Sequence, residues 1–423
     1  MIHGLRKEVT MKLQKNVEIL RYENKVILAN RGNGTWIRIS KEVFDLVQEF
    51  LRADVNSPDD VIEFSDQEDR NYFMRVIENI KQCYMLVDGE RYPEQDISNM
   101  IIFEVTNRCN LHCTHCCVAA EADNERESDT ETVKEILEKC IEWRPHFIAI
   151  SGGEPLFRKD FFEIVQYLRE RFNGKIGLCT NGLLITKNNV EFICRNIDQI
   201  DISIDGVDEE TCSVYRGRGV FAKVIAAIKL LQSEGFTNIS LSMVFSDKNE
   251  YLEKPFTELN RTLGTKPIYR MLSEKGRAKD NKEILATTDY EESYVPESFI
   301  NRESSEEIPI GASDCMAGKH SILIRYNGDI YPCPTYISHE EFCMGNIQEV
   351  DSIRNIVGKN MSDTIKNNLY KTNKSNGKNC QNCPVKLFCF SCPGDPQRFS
   401  TEEAFQNYCN ISKPVLMKKV WGI

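Results

Sequence analysis

Six short apolar runs, IIFEVT, FIAISG, IGLCTNG, QIDISID, ISLSMVFS and PIYRML, recur between residues 101 and 272 with helix-length segments between most of them. Strands that read as near-continuous apolar runs are buried on both faces. When they alternate with helical segments they form a parallel sheet with right-handed crossovers. Asp129 to Trp143, Asp160 to Arg171 and Phe221 to Glu234 are candidate crossover helices. A closed barrel of this type needs eight units. Six predict an α/β fold built on an open, partial (β/α)6 TIM-like barrel, placed here at residues 96–300.

The flanks read differently. Residues 1–95 predict a small, independent α+β domain with strands at Val17 to Arg21, Lys25 to Asn30 and Thr35 to Ile39. Two amphipathic helices follow, one presenting Val43, Leu46, Val47 and Phe50, the other Phe73, Val76 and Ile77, and then a strand near Tyr84 to Asp88. Residues 273–313 are charged and poorly periodic, which predicts an exposed connection carrying one amphipathic helix. Residues 301–423 form a third unit with too few apolar residues for an unaided core, so metal is expected to supply part of its fold.

The chain has 423 residues, 17 of them cysteine, and a net charge of -11. That negative balance repels phosphate backbones and argues against nucleic acid as a partner. No apolar run reaches the length of a membrane span, and the opening MIHGLRKEVTMKLQKN lacks the apolar stretch of a secretory signal, which predicts a cytoplasmic protein. Disulfides do not persist in a reducing cytosol, so the cysteines are expected to be metal ligands.

The first apolar run leads into Cys109, Cys113 and Cys116, spaced C-x3-C-x2-C. Three thiolates leave one iron of a 4Fe-4S cube without a protein ligand, open to chelation by an amino and a carboxylate group. The second run ends in SGGEP, Ser151 to Pro155, where glycines permit close backbone approach and Glu154 can accept from an ammonium group. A zinc knuckle is the alternative for the cysteines alone. The two motifs one β/α unit apart resemble the radical S-adenosylmethionine (SAM) superfamily.

That resemblance implies that the three cysteines hold a 4Fe-4S cluster to which SAM binds. Gly152, Gly153 and Glu154 would hold the methionine amine, Ser203 in SIDG the nucleoside, and Arg216 in YRGRG the methionine carboxylate. TNG at Thr180 to Gly182 ends another pocket-lining strand. His115 stands where relatives often carry an aromatic residue, and His112, His115 and Cys117 are read as spacers. The GxG following Arg216 lacks the setting of a dinucleotide fingerprint.

The tail carries Cys315, Gly328, Cys333, Cys380, Cys383, Cys389, Cys392 and Cys409, a pattern similar to the SPASM extension of radical SAM enzymes. The resemblance implies one auxiliary 4Fe-4S cluster on Cys380, Cys383, Cys389 and Cys409 and another on Cys315, Cys333 and Cys392. The fourth position of the second is left to Cys343 or to a substrate thiolate. Cys83, Cys140, Cys179, Cys194 and Cys212 have no partner spacing and read as inert.

The N-terminal unit resembles the peptide-recognition domains of maturases that modify ribosomally made peptides. It would take a leader peptide as an added strand, or else only cap the barrel. The expected function is a radical SAM/SPASM peptide maturase forming thioethers from cysteine sulfur to carbon, as in sactipeptides, supplied with electrons by a flavodoxin or ferredoxin. Alternatives are formylglycine formation, carbon–carbon crosslinking, epimerisation, or a metal-stabilised binding module. Glu274 and Arg277 are placed near the substrate cavity. No side chain is assigned as radical relay or general base.

Overall fold

The structure is a computed structural model and describes residues 11–53, 55, 57–87, 99–123, 127–273, 275–286, 310–312, 314–337, 339–372, 378–389 and 402–423. Six parallel strands form the expected partial barrel: β6 (Met100–Thr106), β7 (Phe147–Gly152), β8 (Lys175–Thr180), β9 (Gln199–Ser203), β10 (Ile239–Phe245) and β11 (Lys266–Met271). They lie side by side in chain order, as right-handed crossovers require. The crossover helices Thr130–Glu142, Phe161–Arg171 and Val220–Ser233 fall within a residue or so of the expected ones. The first is capped by Asp129, whose carboxylate accepts from the Thr132 N–H.

The strands alternate strictly. Ile101, Phe103, Ile148, Ile150, Ile176, Leu178, Ile200, Ile202, Leu241 and Met243 turn outward into the main hydrophobic core beneath the helices. By the two-residue period of a strand, the residues between them face the barrel interior, and these include Glu104, Ser151, Cys179, Asp201 and Ser240. Register sets Glu104 opposite Ser151, and Asp201 between Cys179 and Ser240. One polar belt therefore crosses the inside of a sheet whose outside is aliphatic.

The barrel sheet continues past residue 300. Strand β12 (Ser321–Ile324) runs parallel to β6, and β13 (Asp329–Tyr331) and β14 (Gly345–Asn346) extend it antiparallel into a nine-stranded sheet. The cysteine-rich unit thus begins as an extension of the barrel. It also has more apolar support than its own sequence supplies.

That support comes partly from the N terminus. Strands β2 (Val17–Tyr22), β3 (Lys25–Asn30) and β4 (Trp36–Ser40) form an antiparallel sheet, and β1 (Lys12–Leu13) pairs with β5 (Leu86–Val87). One face of the sheet packs on helices Lys41–Ala53 and Gln67–Gln82 through Val26, Leu28, Phe44, Val47, Phe73 and Ile77. Val43 and Leu46 are half-buried at its margin, and Phe44 takes the central place the sequence reading had not given it. The other face, Leu20, Ile27 and Ala29, packs on Val385, Leu387, Leu416, Val420 and Trp421. Lys25 donates to the Trp421 carbonyl and Arg38 to that of Val420. This unit is not independent, because its second apolar face is completed by the last helix, Glu402–Trp421.

Residues 275–286 also depart from expectation. Two single-turn helices, Arg277–Asp280 and Lys282–Leu285, bury Ala278 and Leu285. The segment is a strap against the barrel mouth rather than an exposed connection.

Candidate active site

The cysteine loop leaves β6 at the carboxyl end of the barrel, beside the ends of β7, β8 and β9. Its backbone is fastened to SGGEP: the N–H of Gly153 donates to the Thr106 carbonyl at 2.9 Å and that of Glu154 to the Arg108 carbonyl at 2.8 Å. A Cβ on Gly153 would stand 2.2 Å from the Arg108 oxygen. The close approach these glycines permit is therefore to the cysteine loop itself. With those N–H groups engaged, this corner presents acceptors, which suits an ammonium ligand.

Cys109 and Cys113 are buried and Cys116 is half-buried. Burial, reinforced by the charges of Glu154, Cys113 and Cys116, pushes the Cys109 thiol up to about 11. Burial likewise raises Cys113, opposed by Arg216. Buried thiols that oppose one another's ionisation fit a cationic iron–sulfur centre, which would neutralise them together.

Glu154 is fully buried. Its carboxylate accepts from the Leu156 N–H at 3.1 Å, the Thr180 hydroxyl at 2.8 Å and the Asn181 N–H at 2.7 Å. Burial outweighs these bonds and lifts its pKa to about 7. Such an acid gains most from a cationic partner. Ser203, at the end of β9, lies 3.3 Å from the Ser242 hydroxyl.

Arg216 ends helix Glu209–Arg216, which stops at Gly217 with φ 92°. Its Nε lies 2.5 Å from Asp205 Oδ2 and its Nη1 3.8 Å from Cys113 Sγ. The same Asp205 oxygen receives His115 Nε2 at 3.0 Å, so His115 is a buried partner of this network and not a spacer. His112 does lie outside, exposed and 3.4 Å from Glu121.

Arg277 is bound to the cysteine loop. It is buried and donates to the carbonyls of Cys113 (2.9 Å) and Ala120 (2.7 Å) and to Glu121 (2.9 Å), while its own N–H donates to the Cys116 carbonyl. Gly276, at φ 52°, lets the strap close on the loop, since a Cβ there would meet the Cys116 oxygen at 2.4 Å. Arg277 thus braces the loop from outside. Glu274 lies outside the described residues.

In the tail, Cys380, Cys383, Cys389 and Cys409 line one enclosed cavity with Phe405 and Leu416. Burial first, then Cys409 and Cys383, push the Cys380 thiol up to about 11. Cys333 and Cys343 pack together around the stacked Tyr336 and Phe342. Cys315 opens into a cavity of about 910 Å³ that Glu18 of β2 and Arg31, just past β3, also line. Cys392 lies outside the described residues. Of the cysteines read as inert, Cys140 and Cys212 are buried, whereas Cys179 belongs to the polar belt.

Two family profiles match this chain: the radical SAM superfamily over residues 103–253 and the SPASM iron–sulfur cluster-binding domain over residues 315–384. The chain is a radical SAM enzyme with a SPASM domain. Its 4Fe-4S and SAM chemistry follow from those two domains. Mycofactocin maturase MftC of Mycolicibacterium smegmatis is 28% identical over 272 residues, which span 60% of this chain and 69% of that protein. The antilisterial bacteriocin subtilosin biosynthesis protein AlbA of Bacillus subtilis is 28% identical over 305 residues, 69% of this chain and 66% of that one. Among solved structures, Streptococcus suis SuiB bound to its precursor peptide SuiA superposes with a TM-score of 0.51 at 15% identity, covering 90% of this chain and 94% of that chain. Native anSMEcpe with bound AdoMet and Kp18Cys peptide gives 0.55 at 18% identity, covering 77% of this chain and 99% of that one. These structures share the fold of this radical SAM/SPASM enzyme.

Proposed function

We propose that this radical SAM/SPASM enzyme modifies a ribosomally made precursor peptide, joining a cysteine sulfur to carbon as a thioether. The observation that carries the peptide reading is the barrel interior. Glu104, Ser151, Cys179, Asp201 and Ser240 line it, and Glu104 pairs with Arg325 at 2.9 Å and Asp201 with Arg270 at 2.5 Å. Asp201 Oδ1 is buried with no hydrogen-bond partner among the described residues. A buried polar lining with an unused acceptor suits a substrate rich in amide N–H groups. The relatedness to MftC and AlbA, named as a maturase and a bacteriocin biosynthesis protein, supports the same reading.

When bound, the reduced cluster and SAM supply a hydrogen-abstracting 5'-deoxyadenosyl radical together with methionine. The chain's own residues set the conditions for it. Cys109, Cys113 and Cys116 would hold the cluster, Glu154 with the Gly152 and Gly153 backbone the methionine amine, Arg216 the methionine carboxylate and Ser203 the nucleoside. The aliphatic outer core keeps the barrel rigid, and its interior holds the peptide carbon near the nucleoside and away from bulk water.

Thioether formation removes two hydrogens, one from the thiol and one from carbon. Cys380, Cys383, Cys389 and Cys409 would hold one auxiliary cluster and Cys315, Cys333 and Cys392 another, its fourth position left to Cys343 or a substrate thiolate, and such clusters would supply an acceptor for the released electron. A flavodoxin or ferredoxin of the cytoplasm would supply the reducing electron. The N-terminal sheet is suited to a leader peptide, because among the described residues β2 and β4 each pair with β3 alone.

Reconstituted enzyme incubated with SAM, dithionite and a pool of synthetic cysteine-containing peptides tests this reading. A product lighter by two hydrogens, with one thiol no longer alkylated, is expected. Products with unchanged mass but inverted stereocentres, or with an oxidised serine or cysteine, would replace the thioether reading.

A further inference from the structure

Asp205 is a tightly held charged residue at the barrel mouth. It is a non-glycine residue in the left-handed region, φ 53°, and 1% exposed. Its Oδ1 accepts from the Val244 N–H of β10 at 2.6 Å, and its Oδ2 takes both Arg216 Nε and His115 Nε2. One carboxylate thereby joins the turn after β9, strand β10, the cysteine loop and the end of helix Glu209–Arg216. Gly206 allows the turn, since a Cβ there would meet the Cys212 backbone nitrogen at 2.2 Å. A strained backbone and a buried charge persist together only where the surroundings fix both, a pattern concentrated at functional sites.

A guanidinium has two edges. Asp205 occupies the Nε side of Arg216, which fixes the plane of the group and leaves the terminal nitrogens toward the cysteine loop, with Nη1 beside Cys113 Sγ. A carboxylate received in that direction meets a fork whose orientation is already set. His115 ties the same oxygen to the loop between Cys113 and Cys116, so fork and loop share one anchor.

We propose that Asp205 is a positioning residue that presets Arg216 for the amino-acid end of SAM and, through His115, locks that fork to the cluster loop. This rests on the assignment of Arg216 to the methionine carboxylate. Asp205 touches neither substrate nor cofactor in this account and acts through its two cationic partners.

The test is equilibrium binding to the reconstituted holoenzyme of two unreactive probes: S-adenosylhomocysteine, which keeps the amino-acid end, and 5'-methylthioadenosine, which lacks it. Asp205→Asn is nearly isosteric and is expected to weaken S-adenosylhomocysteine roughly tenfold, by loosening a charge-assisted contact, with methylthioadenosine and iron content unchanged. Equal weakening of both probes, loss of iron, or no change in either overturns the proposal, because a merely structural or idle residue gives those results. If wild type binds both probes alike, the Arg216 assignment itself fails and the proposal falls with it, an outcome visible before any variant is made. Should Asp205→Asn not fold, Asp205→Glu, which keeps the charge one methylene further out, is read against the same outcomes.

Discussion

The guanidinium of Arg277 donates from Nε to the backbone carbonyl of Cys113 across 2.9 Å, joining residues 164 positions apart in the chain. The strap after the barrel is therefore part of the cluster loop's support. Arg277→Ala would take the donor from the buried Ala120 carbonyl, at about 1–3 kcal/mol for a group left unsatisfied, and leave the Cys113 carbonyl to the Cys116 N–H at 3.3 Å. A fall in thermal midpoint is expected, with iron lost preferentially from the Cys109, Cys113 and Cys116 site. Iron counts on Arg277→Ala and on a Cys109, Cys113, Cys116 triple alanine control measure it.

Glu154 provides a pH signature. Its folded pKa is raised to about 7, by burial above all. Above that pH the carboxylate is ionised and ready for an ammonium group, and below it a proton must first leave. S-adenosylhomocysteine affinity in wild type should therefore fall as pH drops below about 7, approaching tenfold per unit. Glu154→Gln should bind weakly at all pH values and lose that slope. Isothermal titration at several pH values decides it, and a flat wild-type profile would contradict the assignment.

The parts visible in sequence were those written in local spacing. The six apolar runs, the crossover helices, the C-x3-C-x2-C loop and SGGEP are each written in consecutive residues, and the strands and helices stand where expected. The joining of Arg277 to the loop, of His115 to Asp205, and of Trp421 to the N-terminal sheet depends on pairs far apart in the chain, which no periodicity encodes. The polar belt was hidden for another reason. Glu104, Ser151, Cys179, Asp201 and Ser240 are scattered over five separate runs, and only strand register shows that they lie side by side.

Cys409 joins the last helix to the cavity shared with Cys380, Cys383 and Cys389. Cys409→Ala is expected to remove one cube's worth of iron while leaving SAM cleavage in place. Because the same helix carries Trp421 onto the N-terminal sheet, limited proteolysis should become faster in that variant. Full iron retention would remove Cys409 from the ligand set.

The belt predicts a separation of steps. Asp201→Asn keeps the shape of the side chain but weakens its pairing with Arg270. SAM cleavage without peptide should be unchanged, and peptide modification by the same preparation should fall at least several-fold. Equal loss of both would mean that Asp201 supports the fold and not the substrate.

The central claim is tested most directly by anaerobic reconstitution and a dithionite-driven assay for 5'-deoxyadenosine, with wild type compared against the Cys109, Cys113, Cys116 triple alanine variant. Iron in excess of one cube, with 5'-deoxyadenosine formed only when those three cysteines are present, is the predicted result. Zinc in place of iron, or 5'-deoxyadenosine formation that survives the triple substitution, would contradict it.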